Sequence, residues 1–133
     1  MRIPRAFLDD ILRHAREEFP NECCGIVATS DGTATKVFRT ENIHHSPTRF
    51  EIDGRHVIRI QSEADEQGWE LGSIYHSHTR TAPYPSQTDV NFAQNWPGMV
   101  WLIVSLEDPE RPSVHAFEIN GGTISERDLS VAD

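Results

Sequence analysis

The stretch that decides the fold lies in the middle of the sequence, where residues 76–89 read HSHTRTAPYPSQTD. An apolar run that starts at Leu71 leads into it, and alternate residues of a strand leave the same face about 6.5 to 7 Å apart. His76 and His78 therefore lie on one face of a predicted strand over residues 71–78. The two prolines that follow predict a loop, and Ser86 is typical of the residue before a helix.

The same stretch carries a candidate metal site. Asp89 falls in the first turn of the predicted short helix, where its carboxylate can join the imidazoles of His76 and His78 around a zinc ion. Three protein ligands leave the fourth position to water, as in catalytic zinc sites. Each residue also has a simpler interpretation: a His-x-His pair is more often hydrogen-bonded or exposed, and Ser86 with Asp89 is an ordinary helix-capping pair. Spacing alone leaves both interpretations open.

Apolar periodicity predicts two longer helices. Apolar residues recur at every fourth position from Phe7 to Phe19, and Pro4 suits a first helical turn, so we expect a helix over residues 5–18. A second helix is expected over residues 54–67, with Gly68 near its end. The short helix that begins at Ser86 is expected to end before Pro97.

The remaining apolar clusters are short and are separated by turn signals, which is typical of strands. Helices and strands alternate without a regular βαβ repeat, so the fold class is α+β (mixed α/β), with two longer helices and one short helix beside a mixed β-sheet. A chain of 133 residues is expected to form one domain over 1–133. The predicted strands are residues 24–29, 35–39, 71–78, 99–105, 114–119 and 123–125.

The composition of the chain indicates which classes of partner are excluded and which cellular location is expected. Asp and Glu number 21 against 12 Lys and Arg, and a net charge of −9 argues against nucleic acid or an anionic membrane as a partner. No signal peptide or membrane span is predicted. The only two cysteines, Cys23 and Cys24, are adjacent in the sequence. A disulfide between them would link no distant parts of the chain, so we expect a reducing, cytoplasmic location.

The order of the polar residues resembles a known family. Glu22, then His76-x-His78, then Ser86 and Asp89, stand at every defining position of the JAMM (MPN+) zinc metallopeptidase signature. Residues 20–25 are similar to the family's glutamate-bearing segment. The resemblance spans most of the chain and implies a curved mixed sheet.

The resemblance also implies the roles of the site residues. It implies one Zn²⁺ per chain, bound by His76, His78 and Asp89. Glu22 would be the catalytic carboxylate, and the hydroxyl of Ser86 would help to stabilise the reaction intermediate. The sequence departs from the family after the second histidine, where Thr79 replaces a proline that many members carry.

The implied reaction is hydrolysis of an amide bond at the C-terminal Gly-Gly tail of a ubiquitin-like or sulfur-carrier protein. The chain is short, and Asn42, Ser46-Pro47 and residues 50–53 look closest to compact bacterial members, in which the product is cysteine or another C-terminal adduct. The oligomeric state stays open, a homo-oligomer included. Three alternatives remain: a deubiquitinase-like tail-processing peptidase, a non-catalytic scaffold of the same fold, and a cysteine hydrolase that uses Cys23 or Cys24.

Overall fold

The computed structural model describes residues 1–133 as one mixed β-sheet with three helices. The helices are α1 (Arg5–Glu18), α2 (Gly54–Gln67) and α3 (Gln87–Ala93). The strands are β1 (Arg2–Pro4), β2 (Cys24–Ser30), β3 (Thr33–Thr40), β4 (Glu70–His78), β5 (Val100–Ser105), β6 (Ser113–Asn120), β7 (Thr123–Arg127) and β8 (Ser130–Ala132). Their order across the sheet is β7-β6-β5-β4-β2-β3-β1-β8. The predicted α+β class with two longer helices and one short helix is confirmed.

Both longer helices have the predicted bounds, and the residues at the two ends of α2 show why it begins and ends where it does. Asp53 accepts a hydrogen bond from the backbone N–H of Arg55 at 2.8 Å and so caps the start of α2. Gly68 ends the same helix with φ +75°, a left-handed conformation that costs glycine little. The expectation for Pro4 is corrected: it is the last residue of β1, immediately before the first helical residue, Arg5.

Strand β4 lies in the middle of the sheet. It pairs antiparallel with β2 and parallel with β5, while β2–β3 and β5–β6–β7 are antiparallel runs. The six predicted strands correspond to β2 to β7, most with longer bounds than predicted. Strands β1 and β8 were not predicted; they pair in parallel with each other at the register Arg2 with Ser130. Strands of three residues are too short to show a period.

Two apolar clusters lie against the sheet, and β4 contributes to both. Tyr75 belongs to the cluster that includes Leu8 and Ile11 of α1, whereas Ile74 belongs to the cluster that includes Ile60 of α2. Because side chains alternate along a strand, the even-numbered residues that end β4 lie on the α2 and α3 side. None of the three helices is both long and apolar enough to cross a membrane.

Candidate metal centre

Three potential ligand side chains converge where β4 ends and α3 begins. Asp89 Oδ1 lies 3.1 Å from His76 Nε2, and Asp89 Oδ2 lies 3.0 Å from His78 Nε2. The two Nε2 atoms are 3.2 Å apart. All three residues are buried, and no other cluster of three His, Cys, Asp or Glu side chains in residues 1–133 has comparable geometry.

The surroundings fix the orientation of both imidazoles. His78 Nδ1 lies 2.9 Å from the carbonyl oxygen of Ala82, to which its N–H can donate, so that Nε2 is left as the acceptor. The ring of His76 stacks on Phe50 with centroids 4.5 Å apart and meets Trp101 edge-on. The Nδ1 atom of His76 is buried without a hydrogen-bond partner. Both Nε2 atoms are thus presented to the same small space.

Asp89 combines the two roles that the spacing left open. Its backbone N–H donates to Ser86 Oγ at 3.1 Å, and its Oδ2 accepts from the Ser86 backbone N–H at 3.0 Å, which together make a capping box. The same carboxylate faces both imidazoles. Capping therefore holds the carboxylate in place at the histidine pair.

Electrostatics favour an anionic Asp89 carboxylate beside the histidine pair. Burial opposes the charge on Asp89, but the adjacent imidazoles of His76 and His78 outweigh it and hold the pKa of Asp89 well below its usual value. Burial lowers the pKa of His76. For His78, burial acts in the same direction, but its hydrogen bonds to Asp89 and Ala82 prevail and raise the pKa.

The donor set fits zinc. Two imidazole nitrogens and one carboxylate oxygen are ligands that zinc prefers, and three protein ligands match its catalytic sites. A cavity of about 470 Å³ adjoins the cluster, so the side away from the protein is open to water or substrate. Its lining residues are Pro20, Glu22, Pro47, Thr48, His78, Thr79, Arg80, Thr81 and Ser86.

Glu22 overhangs this cavity from the segment between α1 and β2. Its side chain is 5% exposed, and Oε1 has no hydrogen-bond partner. Burial raises the pKa of Glu22 to about 8; the nearby charge of Asp89 adds to the shift and His78 opposes it. Glu22 is therefore not an ordinary solvated charge. A carboxyl group that exchanges a proton near neutrality suits general acid–base catalysis.

The loop between β3 and α2 forms one rim of the cavity and is organised by Asn42. The Asn42 side-chain amide donates to the carbonyl oxygens of Glu22 at 3.1 Å and Arg49 at 3.0 Å, and its oxygen accepts from the backbone N–H groups of His44 at 3.1 Å and Glu51 at 3.3 Å. This role of Asn42 was not predicted from the sequence. An asparagine in a turn-rich segment was the available signal.

The position of Thr79 shows what the departure from the family pattern does. Its hydroxyl donates to the carbonyl oxygen of Pro47 at 3.2 Å. This hydrogen bond connects the loop after β4 to the loop between β3 and α2, and both loops line the cavity. Ser86, which lines the same cavity, is exposed apart from its capping contacts. The structure therefore brings Glu22, His78 and Ser86 to one cavity, with His76 and Asp89 directly behind.

The cysteines do not belong to this site. Both are buried and free, and neither lines the cavity. Burial raises the pKa of each thiol to about 12, partly offset by side-chain hydrogen bonds from Ser77 to Cys23 and from Thr40 to Cys24. A thiol that stays protonated is a poor nucleophile, so the geometry disfavours a cysteine hydrolase.

Comparison with known proteins agrees with this site. A family model described as prokaryotic homologues of the JAB domain, Prok-JAB, matches residues 4–120. The chain belongs to the Prok-JAB family. The resemblance to JAMM (MPN+) domains and the curved mixed sheet are thereby confirmed.

Two relatives of this Prok-JAB chain have peptidase names. The CysO-cysteine peptidase of Mycobacterium tuberculosis is 30% identical over 125 residues, which cover 92% of this chain and 85% of the relative. The desampylase of Haloferax volcanii is 38% identical over 131 residues, covering 93% and 89%. A solved structure from Desulfitobacterium hafniense is 28% identical, covers 100% of this chain and 94% of its own, and superposes with a TM-score of 0.90.

Membership of the family decides the class of the protein. The prediction of a zinc metallopeptidase is confirmed, and the buried cluster of two histidines and one aspartate fits the zinc that the class requires. The individual roles of Glu22, Ser86, His76, His78 and Asp89 stay predictions.

Proposed function

We propose that this chain hydrolyses the amide bond that follows the C-terminal Gly-Gly tail of a ubiquitin-like or sulfur-carrier protein and releases cysteine or another C-terminal adduct. The observation that carries the proposal is the buried Glu22 carboxyl group, which shares one cavity with the histidine and aspartate cluster. The names of the relatives supply the substrate class, because one is a peptidase of a carrier–cysteine adduct.

We propose that His76, His78 and Asp89 bind the zinc ion. Their ligand atoms already converge, and the hydrogen bond from His78 to Ala82 and the capping box at Asp89 hold two of the three ligands in that geometry. When bound, zinc supplies Lewis acidity, which makes water more acidic and the scissile carbonyl more electrophilic.

Glu22 is proposed to move the proton in the reaction. Its carboxylate accepts a proton from the attacking water and delivers it to the nitrogen of the leaving group as the C–N bond breaks. The oxygen of the water ends in the C-terminal carboxylate of the carrier, and its two hydrogens end on the leaving amine, which departs as an ammonium group. The Ser86 hydroxyl, on the same cavity wall, is placed to donate to the developing oxyanion.

The setting of the reaction is part of the proposal. Residues 1–133 are proposed to act as one domain, since a single sheet joins β1 near the start of the chain to β8 near its end. The cytoplasm is the proposed location, which two buried free thiols suit.

The experiment is a release assay with matched variants. A recombinant sulfur-carrier protein that ends in Gly-Gly, ligated through its terminal carboxyl to cysteine, is incubated with the zinc-loaded protein, and free cysteine is measured. Glu22→Gln is expected to lower kcat by about 100- to 10,000-fold, because the proton carrier is lost. The variant is expected to retain one equivalent of zinc. A fully active Glu22→Gln protein would contradict the assignment.

Two further substrates separate the alternatives. Desampylase is the name of the Haloferax volcanii relative, so a carrier joined to a lysine side chain of a second protein tests a conjugate-cleaving peptidase. A carrier with a peptide extension tests a tail-processing peptidase. Cleavage of either one in preference to the cysteine adduct would replace the proposed substrate, and no cleavage of any of the three would favour the scaffold.

A further inference from the structure

One cationic side chain in the cavity has no role in the proposed reaction. Arg80 is the only Lys or Arg among the residues that line the cavity beside Glu22 and His78. Its guanidinium group has no ion pair within 4.0 Å and no hydrogen bond to the chain. Other exposed arginines, such as Arg111, also lack an ion pair, so the distinguishing feature of Arg80 is its place in the cavity wall. An unpaired guanidinium in a substrate cavity is available to a ligand.

The backbone that carries Arg80 is held on both sides. The Thr79 hydroxyl donates to the carbonyl oxygen of Pro47, and the Ser105 hydroxyl donates to the carbonyl oxygen of Thr81 at 2.5 Å. One residue further, the Ala82 carbonyl accepts from His78. The loop is thus anchored at residues 79, 81 and 82, on both sides of an arginine whose own side chain is exposed. Because the backbone is anchored, binding has to order only the side chain of Arg80 and not the loop that carries it.

The position of Glu22 indicates which part of the substrate meets Arg80. In the proposed reaction Glu22 protonates the leaving nitrogen, so the leaving group lies in the cavity that Glu22 and Arg80 share. A released amino acid carries its α-carboxylate one carbon away from that nitrogen. This carboxylate is anionic, and Arg80 is the one Lys or Arg side chain in the wall of the cavity that it enters. Guanidinium binds carboxylate through two parallel hydrogen bonds.

We propose that Arg80 is a specificity-determining residue that binds the free α-carboxylate of a single amino acid leaving group. The inference rests on the proposed function and narrows it. A leaving lysine side chain in a protein conjugate has no carboxylate beside its nitrogen, and neither does a peptide extension. A cavity of about 470 Å³ lies within the range of about 300 to 1,000 Å³ that holds small ligands. Arg80 thereby favours the carrier–amino acid adduct over the conjugate.

The test compares two substrates that differ only in that carboxylate. The same Gly-Gly carrier is ligated to cysteine or to cysteine amide, and kcat and KM are measured for the wild type, Arg80→Ala and Arg80→Lys. Arg80→Ala is expected to raise KM for the cysteine adduct about tenfold and to leave the amide unchanged. Arg80→Lys is expected to recover part of the loss, because it keeps the charge without the bidentate geometry. Zinc content is expected to be the same in all three proteins.

A second readout avoids turnover. In the zinc-loaded Glu22→Gln background, Arg80→Ala is expected to weaken equilibrium binding of the cysteine adduct by the same factor. Arg111→Ala is the matched control: Arg111 is exposed, does not line the cavity and has no ion pair, so its removal changes the net charge equally.

Each outcome bears on one claim. An equal effect of Arg80→Ala on both substrates, or no effect on either, overturns the role of Arg80. In that case the proposed function still stands if the wild-type protein releases cysteine. A similar KM increase in Arg111→Ala also overturns it, because general electrostatics would then explain the result. A wild type that cleaves neither substrate overturns the proposed function and the inference that rests on it.

Discussion

The two faces of β4 treat buried polar groups in opposite ways. On the face toward α1, the Tyr75 hydroxyl hydrogen-bonds to His14 Nδ1 at 2.7 Å, Ser77 Oγ accepts from the Cys23 backbone N–H at 2.8 Å, and Ser73 donates to a backbone carbonyl. On the face toward α3, His76 and His78 point their Nε2 atoms at each other and at Asp89. The first face is completed by protein partners, and the second brings together three ligand atoms.

The difference shows how one strand serves structure and chemistry at once. Burial of a polar group without a partner is costly, so a folded chain normally pairs such groups. Three buried side-chain atoms lack a hydrogen-bond partner: Thr35 Oγ1 in β3, His76 Nδ1 on the second face, and Glu22 Oε1 beside it. Glu22 belongs to the cavity wall, where a substrate can complete its contacts, whereas the ring of His76 is fully buried against Phe50 and Trp101.

One substitution on each face of β4 tests the difference between the two faces. Asp89→Asn keeps the shape of the side chain but removes the anionic ligand, and we expect zinc affinity to fall by more than about 100-fold, since even hydrogen-bond partners of ligands are worth 10- to 100-fold. Ser77→Ala, between the two histidines but on the other face, is expected to keep zinc. Zinc titration with a competing chelator measures both. Equal zinc loss in the two variants would refute the division of the strand.

Asn42 tests whether the loop over the site face is held as the contacts indicate. Asn42→Ala leaves two carbonyl oxygens and two N–H groups without their side-chain partner, and we expect the free energy of unfolding to fall by about 2 to 3 kcal/mol. Asn42→Asp is the matched variant, which keeps the acceptor and loses both donors to Glu22 and Arg49. Chemical denaturation measures the loss. An unchanged stability in both variants would show that this loop is held by other contacts.

The smallest expected effect is on the structural face. Tyr75→Phe removes the hydroxyl that pairs with His14 and is expected to lower the free energy of unfolding by about 1 kcal/mol. Zinc content and kcat are expected to stay within error of the wild type. A thermal melt and the release assay together measure this outcome, and a loss of zinc in Tyr75→Phe would blur the distinction between the faces.

The sequence alone predicted the elements that have a clear period or a cap. Helices over residues 5–18 and 54–67 were predicted with their observed bounds, because an apolar stripe and a terminal glycine or proline mark them. The pairing of β1 with β8 was out of reach, since each has only three residues and they meet across almost the whole chain length. Local signals carry no information about such a contact.

The candidate site was predicted less evenly. The spacing of His76 and His78 indicated a shared face directly. The double role of Asp89, which caps α3 and faces both rings, depends on the loop that brings the start of α3 back to the end of β4. The sequence around Glu22 does not by itself indicate that the carboxyl group is buried, because burial of a lone carboxylate depends on tertiary packing. The hydrogen bonds by which Asn42 holds the loop between β3 and α2 could not be predicted, because its partners come from several parts of the loop and from the Glu22 backbone.

The central claim is that two imidazoles and one carboxylate bind a zinc ion that stays accessible to water and substrate. X-ray absorption at the zinc edge of the purified protein tests it most directly. We expect two imidazole nitrogens at about 2.0 to 2.1 Å from the zinc, and oxygen ligands at about 2.0 to 2.2 Å in the remaining positions. A sulfur ligand at about 2.3 Å would place the metal at Cys23 or Cys24 and contradict the account.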